Sequence, residues 1–297
     1  ANKKTLENLA LAGGFDSFKG THRAQYFNPD GDGVIFLEKI IRFGARYQEN
    51  LKSAQTSLFG ESSDEVYQEL VLPLTTEWQN LEQLKREKEV VGIYLSGHPL
   101  DDFKKETLFF TNMQLDQLKD LKHLVNKKFN IAGIINEVEF FETRNGKQWG
   151  KFILEDFSEQ FEFRIFGEEF LKFRHFLNIN QFIRLKINIQ EGWRNQETGR
   201  IGDPRIQFLS FEMLHDVINN NSKKITLQFD IRKLEAERIF KLKKELNKFK
   251  GDKPIFFDII DSEKSLKLTL NSMKQKVVIS SELLNHLEDN EWLYKLN

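Results

Sequence analysis

Apolar positions in the first third of the chain recur every three to four residues, which is the spacing of amphipathic helices. The pattern predicts a short helix over residues 5–12 that ends at Gly13, and a longer helix over residues 35–52. A third helix is predicted over about residues 76–95, and Pro99 blocks its continuation. These segments together predict an α-helical N-terminal region.

From residue 128 onward, apolar residues alternate with polar ones, as in half-buried strands. Strands are predicted over residues 129–140, 148–154, 160–166, 181–191 and 201–209, with a helix over about 168–176 between the third and the fourth. Asn145 and Gly146 give a hairpin signal between the first two strands. Three strands, a helix and two further strands predict the five-stranded Greek-key barrel called the OB-fold.

The polar run Asn-Asn-Asn-Ser at residues 219–222 predicts a linker. After it, strands are predicted over residues 225–229, 254–261, 265–270 and 275–278, with helices over 234–249 and 282–289. The fold class is therefore multidomain, with an α-helical N-terminal region, an all-β OB-fold barrel and a small α+β C-terminal domain. The predicted boundaries are a helical region over 1–52, a flexible segment over 53–75, a helical region and connector over 76–127, the barrel over 128–215, a linker over 216–222 and the α+β domain over 223–297.

The composition limits the range of possible functions. The 44 Lys and Arg residues nearly balance the 45 Asp and Glu residues, for a net charge of −1. A protein that coats duplex DNA normally has a basic excess, so any contact with nucleic acid should be local and modest in strength. The absence of cysteine excludes disulfides and thiolate metal sites. No apolar run is long enough for a membrane span, so no membrane contact is expected.

Residues 52–64 combine a polar composition with two adjacent large apolar residues, Leu58 and Phe59. Such a segment has no apolar neighbours at helical or strand spacing with which to form a core face of its own. One interpretation is a docking peptide whose Leu-Phe pair fills a pocket of a partner. The alternative is the end of a helix whose Leu-Phe pair packs back onto its own domain.

Two further segments carry a family resemblance. Residues 89–100 read Glu-Val-Val-Gly-Ile-Tyr-Leu-Ser-Gly-His-Pro-Leu, and residues 6–16 read Leu-Glu-Asn-Leu-Ala-Leu-Ala-Gly-Gly-Phe-Asp, followed by His22-Arg23-Ala24. In order and spacing these segments resemble the alpha (polymerase) subunit of bacterial DNA polymerase III. The resemblance covers essentially the whole chain, and it is to the C-terminal portion of that family.

The resemblance implies several partners. The pattern Gln-x-Ser-Leu-Phe resembles the pentapeptide with which bacterial replication proteins bind the sliding clamp, or beta subunit. It assigns clamp binding to Gln55, Ser57, Leu58 and Phe59. It also implies contact of the last domain with the tau subunit of the clamp loader, contact of the barrel with single-stranded template DNA, and a cytoplasmic location.

The resemblance also implies which chemistry this portion lacks. The parent would be a DNA-directed DNA polymerase, a nucleotidyltransferase that uses magnesium. Carboxylates that hold two metal ions are needed for that reaction, and no equivalent motif occurs here. The portion is therefore expected to be catalytically inactive, with no catalytic or metal-binding residues and no cofactor. The alternative function is a free-standing OB-fold protein that binds single-stranded nucleic acid.

Single-stranded DNA binding needs exposed aromatic rings for stacking and basic side chains for the phosphates. The candidates around the first hairpin, on the third strand and in the loop between the last two strands are Phe141, Arg144, Lys147, Trp149, Arg164, Phe166, Trp193, Arg194 and Arg200. For Trp193 the alternative is a ring that closes the end of the barrel. Glu159, in the turn before the third strand, places an acid near this surface and counts against DNA binding.

Residues 28–39 nearly match a calcium-binding loop. The early positions fit, with Asn28, Asp30 and Asp32 among the candidate ligands. The twelfth position, which requires a bidentate glutamate, holds Lys39. A plain turn is therefore expected at this place.

Overall fold

The computed structural model describes residues 2–56, 70–192, 201–233, 235–261 and 263–297. The chain divides into two compact units, Ala1–Pro99 and Leu100–Asn297. In the part that the structure describes, no helix is long and apolar enough to cross a membrane.

The first unit is helical. Its helices are α1 (Lys3–Leu11), α2 (Arg23–Phe27), α3 (Phe36–Thr56) and α4 (Asn80–Val91). The Asn2 side chain caps α1 by accepting a hydrogen bond from the Thr5 amide at 2.8 Å. A small core forms where α1, α2 and α3 meet, from Ala10, Tyr26, Phe36 and Leu37.

Helix α4 is shorter than the pattern of apolar residues predicts. It ends at Val91 because Gly92 adopts a left-handed conformation with φ of 89°, which a residue with a side chain rarely takes. Helix α3, in contrast, continues to Thr56, beyond the predicted end at residue 52.

The second unit begins with α5 (Lys104–Phe110), which follows a 3₁₀ turn at Pro99–Phe103. Two further 3₁₀ turns, Leu115–Lys119 and Leu121–Leu124, lead into the first sheet. Glu106 of α5 is buried, and its carboxylate accepts a hydrogen bond from the Ser281 hydroxyl. The segment before the sheet is therefore packed structure that also reaches the C-terminal part of its unit.

The first sheet is antiparallel. Its strands are β1 (Lys128–Glu142), β2 (Gln148–Glu155), β3 (Gln160–Phe166), β4 (Phe182–Gln190) and β5 (Arg205–Met213), and α6 (Gly167–Phe173) lies between β3 and β4. The spatial order is β3-β2-β1-β4-β5. One face is packed with apolar side chains that include Phe152, Phe163 and Ile187, and Phe170 of α6 covers part of it.

The number of strands and the place of the helix agree with the prediction, whereas the closed barrel does not appear. Within the described residues β3 and β5 are the two edges of the sheet and do not pair with each other. All four pairs of neighbouring strands are antiparallel. The structure therefore has a five-stranded open sheet where a barrel was predicted.

The second sheet has the order β8-β7-β6-β9 and combines parallel and antiparallel pairs. Its elements are β6 (Ile225–Asp230), α8 (Ala236–Leu246), β7 (Lys250–Asp261), β8 (Leu266–Val277), α9 (Ser281–Asp289) and β9 (Leu293–Leu296). Strands β6 and β7 are parallel because α8 connects them. Buried residues of the sheet and of both helices, including Leu227, Leu242, Ile255 and Leu284, form one core.

Three features of this region differ from the prediction. Residues 216–222 are not an extended linker, because α7 (Leu214–Asn221) occupies most of them. Leu214, Val217 and Ile218 of α7 are buried at helical spacing. The two short strands expected over 265–270 and 275–278 form the single strand β8, and β9 was not predicted.

Candidate nucleic-acid interface

Three aromatic side chains form a ladder across one face of the first sheet. The strand register places Phe141 of β1 opposite Trp149 of β2, and Trp149 opposite Phe166 of β3. The ring centroids of Phe141 and Trp149 are 4.4 Å apart with planes at 19°, and those of Trp149 and Phe166 are 5.2 Å apart with planes at 21°. Phe141 is 37% exposed and Phe166 57% exposed. We call these three residues the aromatic ladder.

The ladder lies on the face of the sheet opposite to the core. Alternation along β2 buries Gly150, Phe152 and Leu154 and turns Trp149 and Lys151 to the other side. An exposed row of nearly parallel rings is not needed to fill a core. Because the rings stack on one another, the surface that they offer to a nucleic-acid base consists of the outer faces of Phe141 and Phe166 and the exposed ring edges.

The charged side chains next to the ladder are paired with one another. Lys151 Nζ lies 3.0 Å from Glu139 Oε1, and Arg164 Nη2 lies 2.8 Å from Glu162 Oε1. The hydrogen bond to Glu139 raises the pKa of Lys151, so its ammonium group stays charged. This part of the face is therefore close to neutral, in keeping with the balanced charge of the whole chain.

The hairpin between β1 and β2 adds exposed basic side chains. The Thr143 amide donates to the Lys147 carbonyl at 2.9 Å, and the Gly146 amide donates to the Thr143 carbonyl at 2.9 Å. These bonds fix a tight turn, from which Arg144 and Lys147 reach solvent. The turn lies directly beside the Phe141–Trp149 pair in the strand register.

Glu159 lies away from the ladder. It precedes β3, whereas Phe166 ends β3, so the two residues lie at opposite ends of the strand. Glu159 also forms an ion pair with Lys119 at 2.5 Å. The acid that counted against DNA binding in the sequence is thus neutralised and remote from the rings.

A groove separates the two edge strands of this sheet. It has a volume of about 920 Å³, and its lining includes Arg164 and Phe166 from β3, Gln190 from β4 and Arg205 and Gln207 from β5. Sequence reasoning missed Gln190, Arg205 and Gln207. These residues line the groove because β3 and β5 are both edge strands, which only the strand order of the folded sheet shows. The local sequence around them gives no sign of it.

The motifs that carry the family resemblance meet in the first unit at a buried ionic cluster. Arg23 is 5% exposed and Glu87 is fully buried, and Arg23 Nη1 lies 2.5 Å from Glu87 Oε1. Arg23 Nη2 lies 2.6 Å from Asp16 Oδ2. The amides of Leu95 and Ser96 donate to Glu87 Oε2 at 2.9 and 3.0 Å, and the Ser96 hydroxyl donates to Glu87 Oε1.

Hydrogen bonding keeps Glu87 ionised in this cluster. Burial alone would raise the pKa of Glu87, but the hydrogen bonds from Ser96 and from Arg23 outweigh it and leave the pKa below its usual value. Gly13 has a positive φ, and a Cβ there would meet the Arg23 guanidinium at 2.3 Å. The segments that carry the family resemblance are thus held together by the hydrogen bonds of one buried arginine, Arg23.

The comparisons with known proteins relate the chain to one family of replication proteins. Residues 225–297 match the family model described as DNA polymerase III alpha subunit, C-terminal domain. The DNA polymerase III subunit alpha of Borreliella burgdorferi is 28% identical over 99% of this chain and 24% of its own length. That of Buchnera aphidicola is 27% identical over 96% of this chain and 23% of its own length.

Nearly the whole chain is thus similar to the C-terminal portion of the DNA polymerase III alpha subunit. It spans about a quarter of the length of these curated relatives. Among solved structures, the replication factor A related protein of Methanobacterium thermoautotrophicum is 18% identical, with a TM-score of 0.18 over 29% of this chain and 83% of its own. A likeness at that score supports no conclusion about the fold or the ligand.

Part of the candidate site lies outside the described residues. This applies to Ser57, Leu58 and Phe59 of the clamp pentapeptide, and to Trp193, Arg194 and Arg200 of the loop between β4 and β5. Gln55 lies in the last turn of α3, and its side chain is not among those described. The assignments of these residues therefore rest on the sequence.

The segment that resembles a calcium loop forms a turn stabilised from within. Asp30 Oδ1 accepts hydrogen bonds from the amides of Asp32 and Val34 at 2.9 Å each. Lys39 Nζ lies 2.5 Å from Asp30 Oδ2. The hydrogen bond with Lys39, followed by that with the Val34 amide, lowers the pKa of Asp30 to about 2. An ammonium group thus neutralises the carboxylate that would otherwise face an ion.

Groups of three or more His, Cys, Asp or Glu side chains that could hold a metal ion do not occur among the described residues.

Proposed function

We propose that this chain is the non-catalytic C-terminal part of a bacterial replicative polymerase alpha subunit, and that its first sheet guides single-stranded template DNA. The observation that carries the proposal is the aromatic ladder. Three rings that the sequence singled out separately lie stacked and nearly parallel on one face, and the two outer rings, Phe141 and Phe166, are exposed. Bases stack on such rings irrespective of their identity, which suits a polymerase that must copy any sequence.

The sheet itself supports an OB-type arrangement. Its strand order β3-β2-β1-β4-β5 with a helix after β3 needs only a contact between β3 and β5 to complete a five-stranded barrel. OB-folds are often partly open and bind ligands on the face of their second and third strands. The ladder lies on β1, β2 and β3, and the groove between the edge strands extends the surface toward Arg205.

Base stacking should supply most of the affinity for DNA. Each stacked base contributes about 1–3 kcal/mol. The pairing of Lys151 and Arg164 with glutamates leaves phosphate contacts mainly to Arg144, Lys147 and the loop that carries Arg194 and Arg200. Few released counterions mean a shallow dependence of affinity on salt concentration.

The contact with the sliding clamp is proposed for Gln55, Ser57, Leu58 and Phe59. It is supported by the pentapeptide pattern and by the similarity to alpha subunits along nearly the whole chain. Contact of residues 223–297 with the tau subunit, and the absence of polymerase activity in this portion, are proposed on the same similarity. A free-standing OB-fold protein remains the alternative, but the match of residues 225–297 to an alpha-subunit domain favours the polymerase.

Fluorescence anisotropy with a labelled oligothymidylate tests the proposal for the ladder. Phe166→Ala should weaken binding by about tenfold, which is about 1.4 kcal/mol and lies within the range for one lost stacking partner. Its side chain is exposed, so the melting temperature should hardly change.

The matched control is Phe240→Ala, which removes an exposed phenylalanine from α8, outside the first sheet. The control should bind the oligonucleotide as the wild type does. Equal loss in both variants, or no loss in Phe166→Ala, would show that the ladder does not contact DNA.

A further inference from the structure

The outer edge of β8 is open in the second sheet. Strand β8 runs from Leu266 to Val277 and pairs with β7 along one side, and among the described residues no other strand pairs with its second side. A long open edge presents a row of unpaired amide and carbonyl groups. Folded proteins usually shorten, cover or charge such an edge, since it can accept another strand.

The same strand carries an exposed apolar stripe. Leu266, Leu268 and Leu270 are 62%, 56% and 43% exposed, and the period of two places them on one face. Their partners in β7 include Phe257 opposite Leu270 and Ile259 opposite Leu268. Helix α8 packs on the same face of the sheet, over strands nearer its centre. The three leucines therefore extend the apolar surface of that face past the helix to the edge of the sheet.

A cleft runs between α8 and the stripe. It has a volume of about 310 Å³ and is lined by side chains that include Ile239 and Leu242 of α8, Phe257 and Ile259 of β7, and Leu270 of β8. Nearly all of these groups are apolar, and Lys243 lies on the helix side of the cleft. A side chain placed beside Leu270 from a neighbouring strand would reach this cleft.

The net charge of residues 223–297 favours an acidic occupant. Residues 223–297 contain 16 Lys and Arg against 12 Asp and Glu, for a net charge of +4, whereas residues 1–222 have a net charge of −5. Lys267 alternates with the leucines, lies 2.7 Å from Asp258 Oδ2 and keeps half of its surface exposed. Lys274 and Lys276 follow on the same strand.

We propose that the open edge of β8 binds an extended segment of a partner protein in which apolar and acidic residues alternate. The segment adds a fifth strand to the sheet, as in recognition by strand addition. Its apolar side chains lie beside Leu266, Leu268 and Leu270, and its acidic side chains lie on the opposite face beside Lys267. The proposal does not depend on DNA binding by the first sheet, and it stands whichever protein supplies the segment.

The test uses the full chain and a fluorescein-labelled peptide of about nine alternating valine and glutamate residues, a length typical of one strand. Anisotropy should show saturable binding. Leu268→Asp places a carboxylate in the stripe and should weaken binding by about tenfold or more. Leu171→Asp, at an exposed leucine of α6 beside the first sheet, is the matched control and should leave binding unchanged.

Two further measurements locate the contact. In hydrogen exchange, the peptide should slow the amides of Leu266 to Leu270 most. A peptide of alternating valine and lysine should bind much more weakly than the glutamate peptide.

The proposal is overturned if the peptide does not bind, if Leu268→Asp binds it as well as the wild type does, or if the protected amides lie only in other strands. Sedimentation provides a further test. A dimer of the chain that Leu268→Asp dissociates would also overturn the proposal, because a second copy of the chain would then occupy the edge.

Discussion

Replacing Glu87 by glutamine should destabilise the first unit strongly. Glu87 accepts hydrogen bonds from Arg23, from the amides of Leu95 and Ser96, and from the Ser96 hydroxyl. Both carboxylate oxygens of Glu87 accept hydrogen bonds, but glutamine has only one acceptor oxygen, so its NH2 group would face hydrogen-bond donors. Arg23 would keep only Asp16 as a charged partner. Removing one member of a buried ion pair costs about 3–5 kcal/mol. Because Asp16 remains, we expect about 3 kcal/mol.

Calorimetry measures this effect. A loss of about 3 kcal/mol in a unit of this size lowers the melting temperature of its transition by about 12–24 °C. The matched control is Glu82→Gln in the same helix, which removes an exposed ion pair with Arg86 and should cost less than about 1 kcal/mol. If Glu87→Gln melts within a few degrees of the control, the buried cluster does not stabilise the unit.

Acid should reduce the difference between wild type and Glu87→Gln. The folded-state pKa of Glu87 lies below its usual value, so its ionised form stabilises the fold at pH values above the unfolded pKa of about 4.3. That stabilisation is lost as the pH falls through the folded-state pKa. A difference that grows on acidification would contradict the assignment of Glu87 as an ionised partner of Arg23.

Two further predictions concern the turn at Asp30 and the clamp segment. An NMR titration of the Asp30 carboxyl should have its midpoint near 2, and Lys39→Ala should raise it toward the ordinary value of about 3.9; an ordinary midpoint in the wild type would contradict the Lys39 contact. Replacing Leu58 and Phe59 together by alanine should abolish binding to purified sliding clamp in surface plasmon resonance and leave the melting temperature unchanged. A large fall in that temperature would instead show that the pair packs on its own domain.

The sequence predicted the ladder residues because their signals are local. Alternation along β1 and β2 places Phe141 and Trp149 on the outer face, and the Asn145-Gly146 hairpin sets which residues face each other. Phe166 was also a candidate, but its stacking on Trp149 depends on the register of β2 and β3. The groove residues Gln190, Arg205 and Gln207 could not be predicted, because nothing local shows which strands form the edges.

The ionic cluster was beyond sequence reasoning for a related reason. Arg23 and Glu87 are 64 positions apart, and no local pattern shows that the two side chains pair. Helix α7 could have been predicted from the sequence, since Leu214, Val217 and Ile218 have helical spacing. The run of three asparagines outweighed that spacing and led to the prediction of a linker.

Photocrosslinking tests the central claim, that the ladder holds single-stranded DNA, most directly. An oligonucleotide that carries iodouracil is irradiated in complex with the chain, and the crosslinked peptides are identified by mass spectrometry. Stacking on the ladder predicts crosslinks in the peptides that contain Phe141, Trp149 and Phe166. Crosslinks confined to residues 223–297, or none at saturating DNA, would contradict it.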